Sequence, residues 1–287
     1  MSSLSHSASL ATAADGAILS DPDGPLGPGE LAGAFADRVA IVIPAYNEAE
    51  NLEELLPRMP SEVDGARVAV LVIDDGSSDD TAGTALRAGA AVARLPSNRG
   101  GGAALRAGYA LMVRAGARVI VTMDADGQHR PEDLASLVAP VLGRRAQLVQ
   151  GSRILGSAER GTFAREHGID LFNRLVRVLT GVRVTDCSNS FRAIDTRLLP
   201  ELELLQPQFH AAEFLIEAIT RGFSFEEVPV SVLRRKHGRS KKPATLRYGY
   251  GFLAAVIGAW RRSVARRGTA RRSVPASESR AVEEHGA

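Results

Sequence analysis

Cysteine is nearly absent. Cys187 is the only one, which excludes an internal disulfide, offers no cysteine metal cluster and fits a reducing compartment. Positive charge is missing from the start of the chain, because no Lys or Arg precedes Arg38. Without a basic start or an apolar core the first residues do not form a signal peptide. Their Ser-, Ala-, Asp-, Gly- and Pro-rich composition instead predicts a disordered leader over residues 1–37. No apolar run reaches the ~18–20 residues of a bilayer-spanning helix, so a cytoplasmic protein is expected, soluble or peripheral to the inner face of the cell membrane. A net charge of only +2 excludes a general nucleic-acid binder. What remains is ordinary: 45% hydrophobic residues, enough for a sizeable core in one large domain or two small ones.

Order begins at Val39–Ile43, a short apolar run that ends at Pro44. The polar loop Ala45-Tyr46-Asn47-Glu48 and a helix with Leu52, Leu55 and Leu56 at helical spacing follow. The plan repeats with Val68–Ile73 as strand, Asp74-Asp75-Gly76-Ser77-Ser78-Asp79 as loop, and a helix from about Asp80 to Ala88. Ala91–Leu95, Asn98-Arg99-Gly100-Gly101-Gly102 and Ala103–Ala115 repeat it again, and Arg118–Met123 is the next strand. Strand, polar loop and helix in repetition make a parallel α/β sheet with right-handed crossovers, and each polar cluster falls at a strand's carboxyl end, where such sheets bind ligands.

That topology brings Asp74-Asp75 and Asp124-Ala125-Asp126 to one crevice beside Pro44-Ala45-Tyr46-Asn47. Paired carboxylates there suit a base N–H, a ribose hydroxyl and a divalent metal, so a nucleotide is the natural tenant, with Mg²⁺ or Mn²⁺ shared with its phosphates. The triple glycine fits neither phosphate-loop nor dinucleotide fingerprints, and the absence of Gly-x-Gly after the first strand argues against a nicotinamide enzyme.

Farther on, Leu148–Arg153 reads as a strand ending in a basic residue, and a helix spans about Ala164 to Leu179. Thr185-Asp186-Cys187-Ser188-Asn189-Ser190 is a polar loop, Phe209–Glu213 leads into a helix ending near Arg221, and Phe225–Val232 is a strand. The basic run Arg234–Lys242 can wrap phosphate oxygens or be a solvated loop. Leu246–Trp260, followed by paired arginines, can lie on an anionic membrane surface or pack on the domain.

Together Ile43-Pro44-Ala45-Tyr46-Asn47-Glu48, Ile73–Thr81 and Met123–His129 resemble the inverting glycosyltransferases of family 2, in order and in spacing. Gly151-Ser152-Arg153, Thr185-Asp186, Ser190-Phe191-Arg192, Glu213, Glu227–Val230 and Arg235…Gly238-x-Ser240-Lys241 are similar to the polyprenyl-phosphate (dolichol-phosphate-type) mannose or glucose synthases within that family. The resemblance covers about Val39 to Phe252 and implies a GT-A fold: a Rossmann-like, mostly parallel twisted sheet flanked by helices, here with a basic amphipathic C-terminal helix. Residues 38–130 would be the nucleotide-sugar half and 131–245 the acceptor half, followed by a helix over 246–267 and a disordered tail over 268–287.

By resemblance, Pro44, Tyr46, Glu48 and Asp75 would hold the base and ribose of a donor of the GDP-mannose or UDP-glucose type. Asp124 and Asp126, helped by Gln128, would hold the metal, while Arg235, Ser240 and Lys241 close over the donor phosphates. Arg153 and Arg165 would receive the phosphate of a polyprenyl acceptor. The implied reaction moves a hexose to that phosphate with inversion, in cell-envelope biosynthesis at a membrane surface or beside an integral-membrane partner.

Three departures stand out: Ile169 where relatives carry serine, Asn189-Ser190-Phe191 for Ser-Gly-Phe, and Gly101 for lysine. The first two are expected on the acceptor side. A hydroxyl acceptor would need a general base, for which Asp186 or Glu213 is the candidate. Either carboxylate could equally cap a turn or orient an arginine. Readings from other classes are a nucleotidyltransferase, which usually has a glycine-rich phosphate loop after strand one, and a non-catalytic nucleotide-sugar module, which has no need of intact metal aspartates.

Overall fold

The computed structural model describes residues 17–21, 23–158, 163–237 and 246–272. Its elements in chain order are β1 (Ile18–Asp21), β2 (Gly24–Pro25), α1 (Pro28–Phe35), β3 (Val39–Ala45), α2 (Ala49–Leu55), β4 (Glu62–Val63), β5 (Ala66–Asp74), α3 (Thr81–Arg87), β6 (Ala91–Arg94), α4 (Gly101–Arg114), β7 (Val119–Thr122), α5 (Leu134–Leu142), β8 (Leu148–Ala158), α6 (Phe163–Thr180), β9 (Arg192–Asp195), α7 (His210–Thr220), β10 (Phe225–Val232) and α8 (Leu246–Arg272). The sheet runs β10-β8-β9-β7-β3-β5-β6-β1-β2, with β4 paired to β5. Strands β7, β3, β5 and β6 are parallel, as are β8 and β10, whereas β9 is antiparallel to both β7 and β8.

Alternate residues of β3 serve two cores, as a strand buried on both faces requires. Ala40 and Val42 pack with α4, α7 and α8, while Val39, Ile41 and Ile43 pack with α2 and α5. The strand continues through Pro44 to Ala45 because the β3–β7 ladder ends at Val42 and Thr122. Met123 donates to the Val42 carbonyl and Asp75 to that of Ala45, so alternation turns the Pro44 nitrogen to the side where pairing has stopped. The missing N–H therefore costs no hydrogen bond.

Residues 18–35 do not extend the leader. Ile18, Leu19 and Ser20 pair with Arg94, Ala93 and Val92 on the sheet edge, and α1 buries Leu31 and Phe35 one helical turn apart. Composition concealed this because a short edge strand and two anchor residues need few apolar positions. β9 was equally hidden: Arg192 heads a fully buried central strand. Its guanidinium donates to the carbonyls of Asn189 (2.7 Å) and Ala211 (3.1 Å) and lies over the Phe214 ring. Burial lowers its pKa to about 10.

β8 does not stop at Arg153. Ser152 pairs with Pro229 and Ser157 with Ser231, so residues 153–156 bulge out opposite Val230. A bulge re-aims side chains, and here it turns Arg153 toward the carboxyl ends of the strands while leaving Ile154 and Leu155 exposed. α8 buries Phe252, Ala255, Val256, Ala259 and Ser263, a stripe at helical spacing that seats it on the domain. Gly251 belongs to that seat, since a Cβ there would lie 2.9 Å from the Phe209 ring.

Candidate functional site

The loops after β3, β5, β7 and β10 and the bulge in β8 converge on one edge of the sheet. After β7, Asp124 and Asp126 flank the buried Ala125, and Gly127 turns the chain with φ 70°. The Gln128 N–H donates to Asp126 Oδ1 at 3.1 Å. Burial first, then the neighbouring charge of Asp124, raises the pKa of Asp126. Two carboxylates crowded in a half-buried loop repel each other, and a divalent cation relieves that repulsion, so the donor set fits one. Gln128 donates its amide to the Leu233 carbonyl at 2.9 Å, and Leu233 N–H returns to the Gln128 carbonyl at 2.8 Å. The aspartate loop is thereby tied to the start of the basic segment. Among the described residues, no three His, Cys, Asp or Glu side chains form a metal-binding group.

His129 is a site residue that sequence reasoning left without a role. Its Nδ1 accepts the Asp124 N–H at 3.1 Å, which makes Nε2 the donor to Asn189 Oδ1 at 3.2 Å. The ring stacks on Phe191 with centroids 4.6 Å apart, so the aspartate loop is braced from beneath. Its only signal in the sequence was a place five residues after Asp124. Ser190 is likewise misplaced by sequence reasoning: its hydroxyl donates to Asp124 Oδ1 at 2.9 Å, so this departure touches the metal-side carboxylate and not the acceptor side alone. The side chain of Ile169 lies outside the described residues.

On the neighbouring loops, Asp75 is buried, and its two oxygens accept the N–H groups of Arg99 and Gly100, each at 2.8 Å. Burial raises its pKa. Asp74 accepts from Ser77 N–H at 2.8 Å and pairs with Arg94 at 3.3 Å. Pro44 and Tyr46 are half-buried on the β3 loop. Asn47, at φ 53°, accepts from Ser78 N–H at 2.8 Å and donates its own N–H to the Ser77 hydroxyl at 3.0 Å, joining the β3 and β5 loops.

Glu48 is buried and accepts from Asn51 at 2.6 Å and from the Arg235 guanidinium. Lys236 and His237 then engage Glu54 on α2. The basic segment is thus strapped across the β3 loop, with Arg235 near enough for its charge to act on Asp126. Ser240 and Lys241 lie outside the described residues.

On the other side stands Arg153. Its Nε and Nη2 donate to the two oxygens of Asp186 at 2.7 Å each, and Nη2 also donates to Ser188 at 2.8 Å. Asp186 is fully buried, and its loop is pinned by Glu227, which accepts from Thr185 N–H at 2.8 Å and Asp186 N–H at 3.1 Å. Burial alone would lower the pKa of Arg153, but the Asp186 hydrogen bonds and charge outweigh it, and Asp124 adds to the rise. Arg165 sits in the first turn of α6, with its side chain outside the described residues. Glu213 is not part of this cluster: it is buried in α7 and paired with Arg262 of α8 at 2.5 Å. Cys187 is buried with its thiol pushed up to about 12, so it is no nucleophile.

Comparison with known proteins finds a family and a fold. The family model described as "Glycosyl transferase family 2" matches residues 40–202. The polyprenol monophosphomannose synthase of Mycolicibacterium smegmatis is 35% identical over 216 residues, covering 71% of this chain and 80% of its own. The undecaprenyl-phosphate mannosyltransferase of Micrococcus luteus is 31% identical over 215 residues, covering 71% and 87%. Glucosyl-3-phosphoglycerate synthase from Mycobacterium tuberculosis, solved with Mn²⁺, UDP and glucosyl-3-phosphoglycerate, matches with a TM-score of 0.62 and 25% identity over 82% of this chain and 84% of that one.

Proposed function

The chain belongs to glycosyl transferase family 2, and on that premise we propose that it transfers a hexose, mannose or glucose, from a nucleoside-diphosphate sugar to polyprenyl phosphate with inversion. The observation that carries the acceptor is the state of the carboxylates. A hydroxyl acceptor needs a base, yet Asp186 spends both oxygens on Arg153 and Glu213 is sealed beneath α8. A lipid phosphate is already an anion and needs a positioned cation. Arg153, oriented by Asp186 and lying within electrostatic reach of Asp124, supplies one.

On the donor side, Asp75 with the β3 loop would receive the nucleoside, and Arg235 would exchange Glu48 for the donor phosphates. Asp124 and Asp126, with the amide oxygen of Gln128, would hold Mg²⁺ or Mn²⁺. A cation bound there supplies positive charge to the departing diphosphate. His129 and Ser190 keep Asp124 in place.

Nucleoside-diphosphate release from a panel of GDP- and UDP-hexoses, with and without a short-chain polyprenyl phosphate, tests the reading. Release from one donor should rise at least tenfold on adding the lipid phosphate. Release that responds only to sugar hydroxyl acceptors would overturn the acceptor assignment.

Among the described residues no helix is long and apolar enough to cross a membrane. α6 carries a different signature. Its inner face is held by Asn173, whose side chain bonds Thr185 and Cys187 beside the Arg153–Asp186 pair. Its outer face exposes Leu171 (66%) and Val178 (81%), with Arg174 and Arg177 between them in sequence. Apolar side chains interleaved with arginines suit an anionic bilayer surface above Arg153, and Arg262 and Arg266 of α8 are instead paired with Glu213 and Glu203. Leu171→Ser with Val178→Ser should weaken co-sedimentation with phosphatidylglycerol vesicles about tenfold. Undiminished binding would remove α6 from the membrane contact.

A further inference from the structure

Glu213 looks like a candidate base in the sequence, but it lies where no acceptor reaches. Fully buried in the first turn of α7, it accepts the backbone N–H groups of Leu205 at 2.9 Å and Gln206 at 2.7 Å, as well as the Arg262 guanidinium. The segment held in this way supports the glycine-rich turn. Gly102 N–H donates to the Pro207 carbonyl at 2.7 Å, and Arg106 in the same helix donates to the Gln206 carbonyl at 3.1 Å. The approach is so close that a Cβ on Gly102 would fall 2.1 Å from the Gln206 oxygen and 2.7 Å from that of Pro207. One step along the chain, Arg99 and Gly100 offer their N–H groups to the two oxygens of Asp75.

A continuous series of contacts therefore runs from Glu213 through residues 205–207 and Gly100–Gly102 to Asp75. We infer that Glu213 is a positioning residue for the donor: its carboxylate anchors the strut that sets the glycine-rich turn, and through it the carboxylate that meets the nucleoside. The inference rests on the proposed donor role of Asp75. Three donors converge on this one buried carboxylate. Glutamine would keep both backbone bonds at its one oxygen and lose only the Arg262 contact, whereas methionine, of similar length, accepts none of the three.

The opposing view is that Glu213 merely pins α8, and Arg262 separates the two. Arg262→Met removes the link to α8 and leaves both backbone bonds of Glu213, so it should lower Tm while keeping the Kd for UDP or GDP with Mn²⁺ within twofold of wild type. Glu213→Met, which removes all three bonds, should raise that Kd about tenfold and raise the donor KM in parallel, with kcat at saturating donor within twofold. If Glu213→Met does not fold, Gly102→Ala, which thrusts a methyl at the Gln206 and Pro207 carbonyls, should give the same loss of nucleotide affinity. An unchanged Kd in the folded Glu213→Met protein, or in Gly102→Ala where it stands in, overturns the inference, and so does a fall in kcat alone. Wild-type protein that binds neither nucleotide overturns the donor-site reading, and the inference with it.

Discussion

Asp126→Ala is expected to lower metal-dependent nucleoside-diphosphate release by about 10³-fold or more, equivalent to roughly 4 kcal/mol of transition-state stabilisation. The magnitude follows from where the charge develops. The leaving group of a nucleotide sugar departs as a diphosphate, and a cation that Asp124, Asp126 and the Gln128 amide would hold would lose half its protein charge when either aspartate goes. The loop itself should survive. Among the described residues Asp126 accepts one hydrogen bond, from the Gln128 N–H, while the loop's position rests on His129 beneath Asp124 and on the Gln128–Leu233 pair. Asp126→Asn keeps an acceptor for that N–H and provides a second variant with the fold undisturbed. The measurement is the rate of diphosphate release against Mn²⁺ concentration. Turnover equal to wild type in both variants would end the assignment of this loop to metal-assisted transfer.

Arg153→Lys should cut transfer to a short-chain polyprenyl phosphate about 10²-fold while leaving nucleotide affinity unchanged. Lysine is the informative substitution because it retains the charge and loses the planar fork that engages Asp186 with two nitrogens. Alanine would leave Asp186, fully buried, without its counter-ion, and breaking such a pair costs about 3–5 kcal/mol of stability, which would blur the kinetic reading. Adding Arg165→Ala should deepen the loss on the lipid phosphate and leave donor binding untouched. The two arms are read by acceptor KM and kcat on the lipid and by the Kd for nucleoside diphosphate. Wild-type transfer by Arg153→Lys would show that the phosphate is received elsewhere.

Much of the donor half was legible before any coordinates. The apolar runs before Pro44, Asp74 and Asp124 mark strand ends, and the alternation with helices makes the sheet parallel, so convergence of the three polar loops follows from topology alone. The acceptor half was legible only as motifs. β9 has four residues, two of them charged, and carries no period that could announce a central antiparallel strand. The bulge after Ser152 is invisible because its cause, the register of β10, lies more than seventy residues away. Residues 18–35 looked disordered because composition averages over a segment whose order depends on a few ladder bonds to β6.

By itself the sequence determined the α/β class, the family, and which aspartates end which strands, because hydrophobic period and strand-end polarity are local properties of the chain. Tertiary structure alone decided the work of the remaining charges. Asp186 orients Arg153 from 33 residues away, Glu48 holds Arg235 across 187, and Glu213, open in the sequence to the role of base or of arginine partner, pairs with Arg262 and braces a loop. A buried carboxylate takes its role from the donors that folding brings against it, and no spacing along the chain encodes which donors those are.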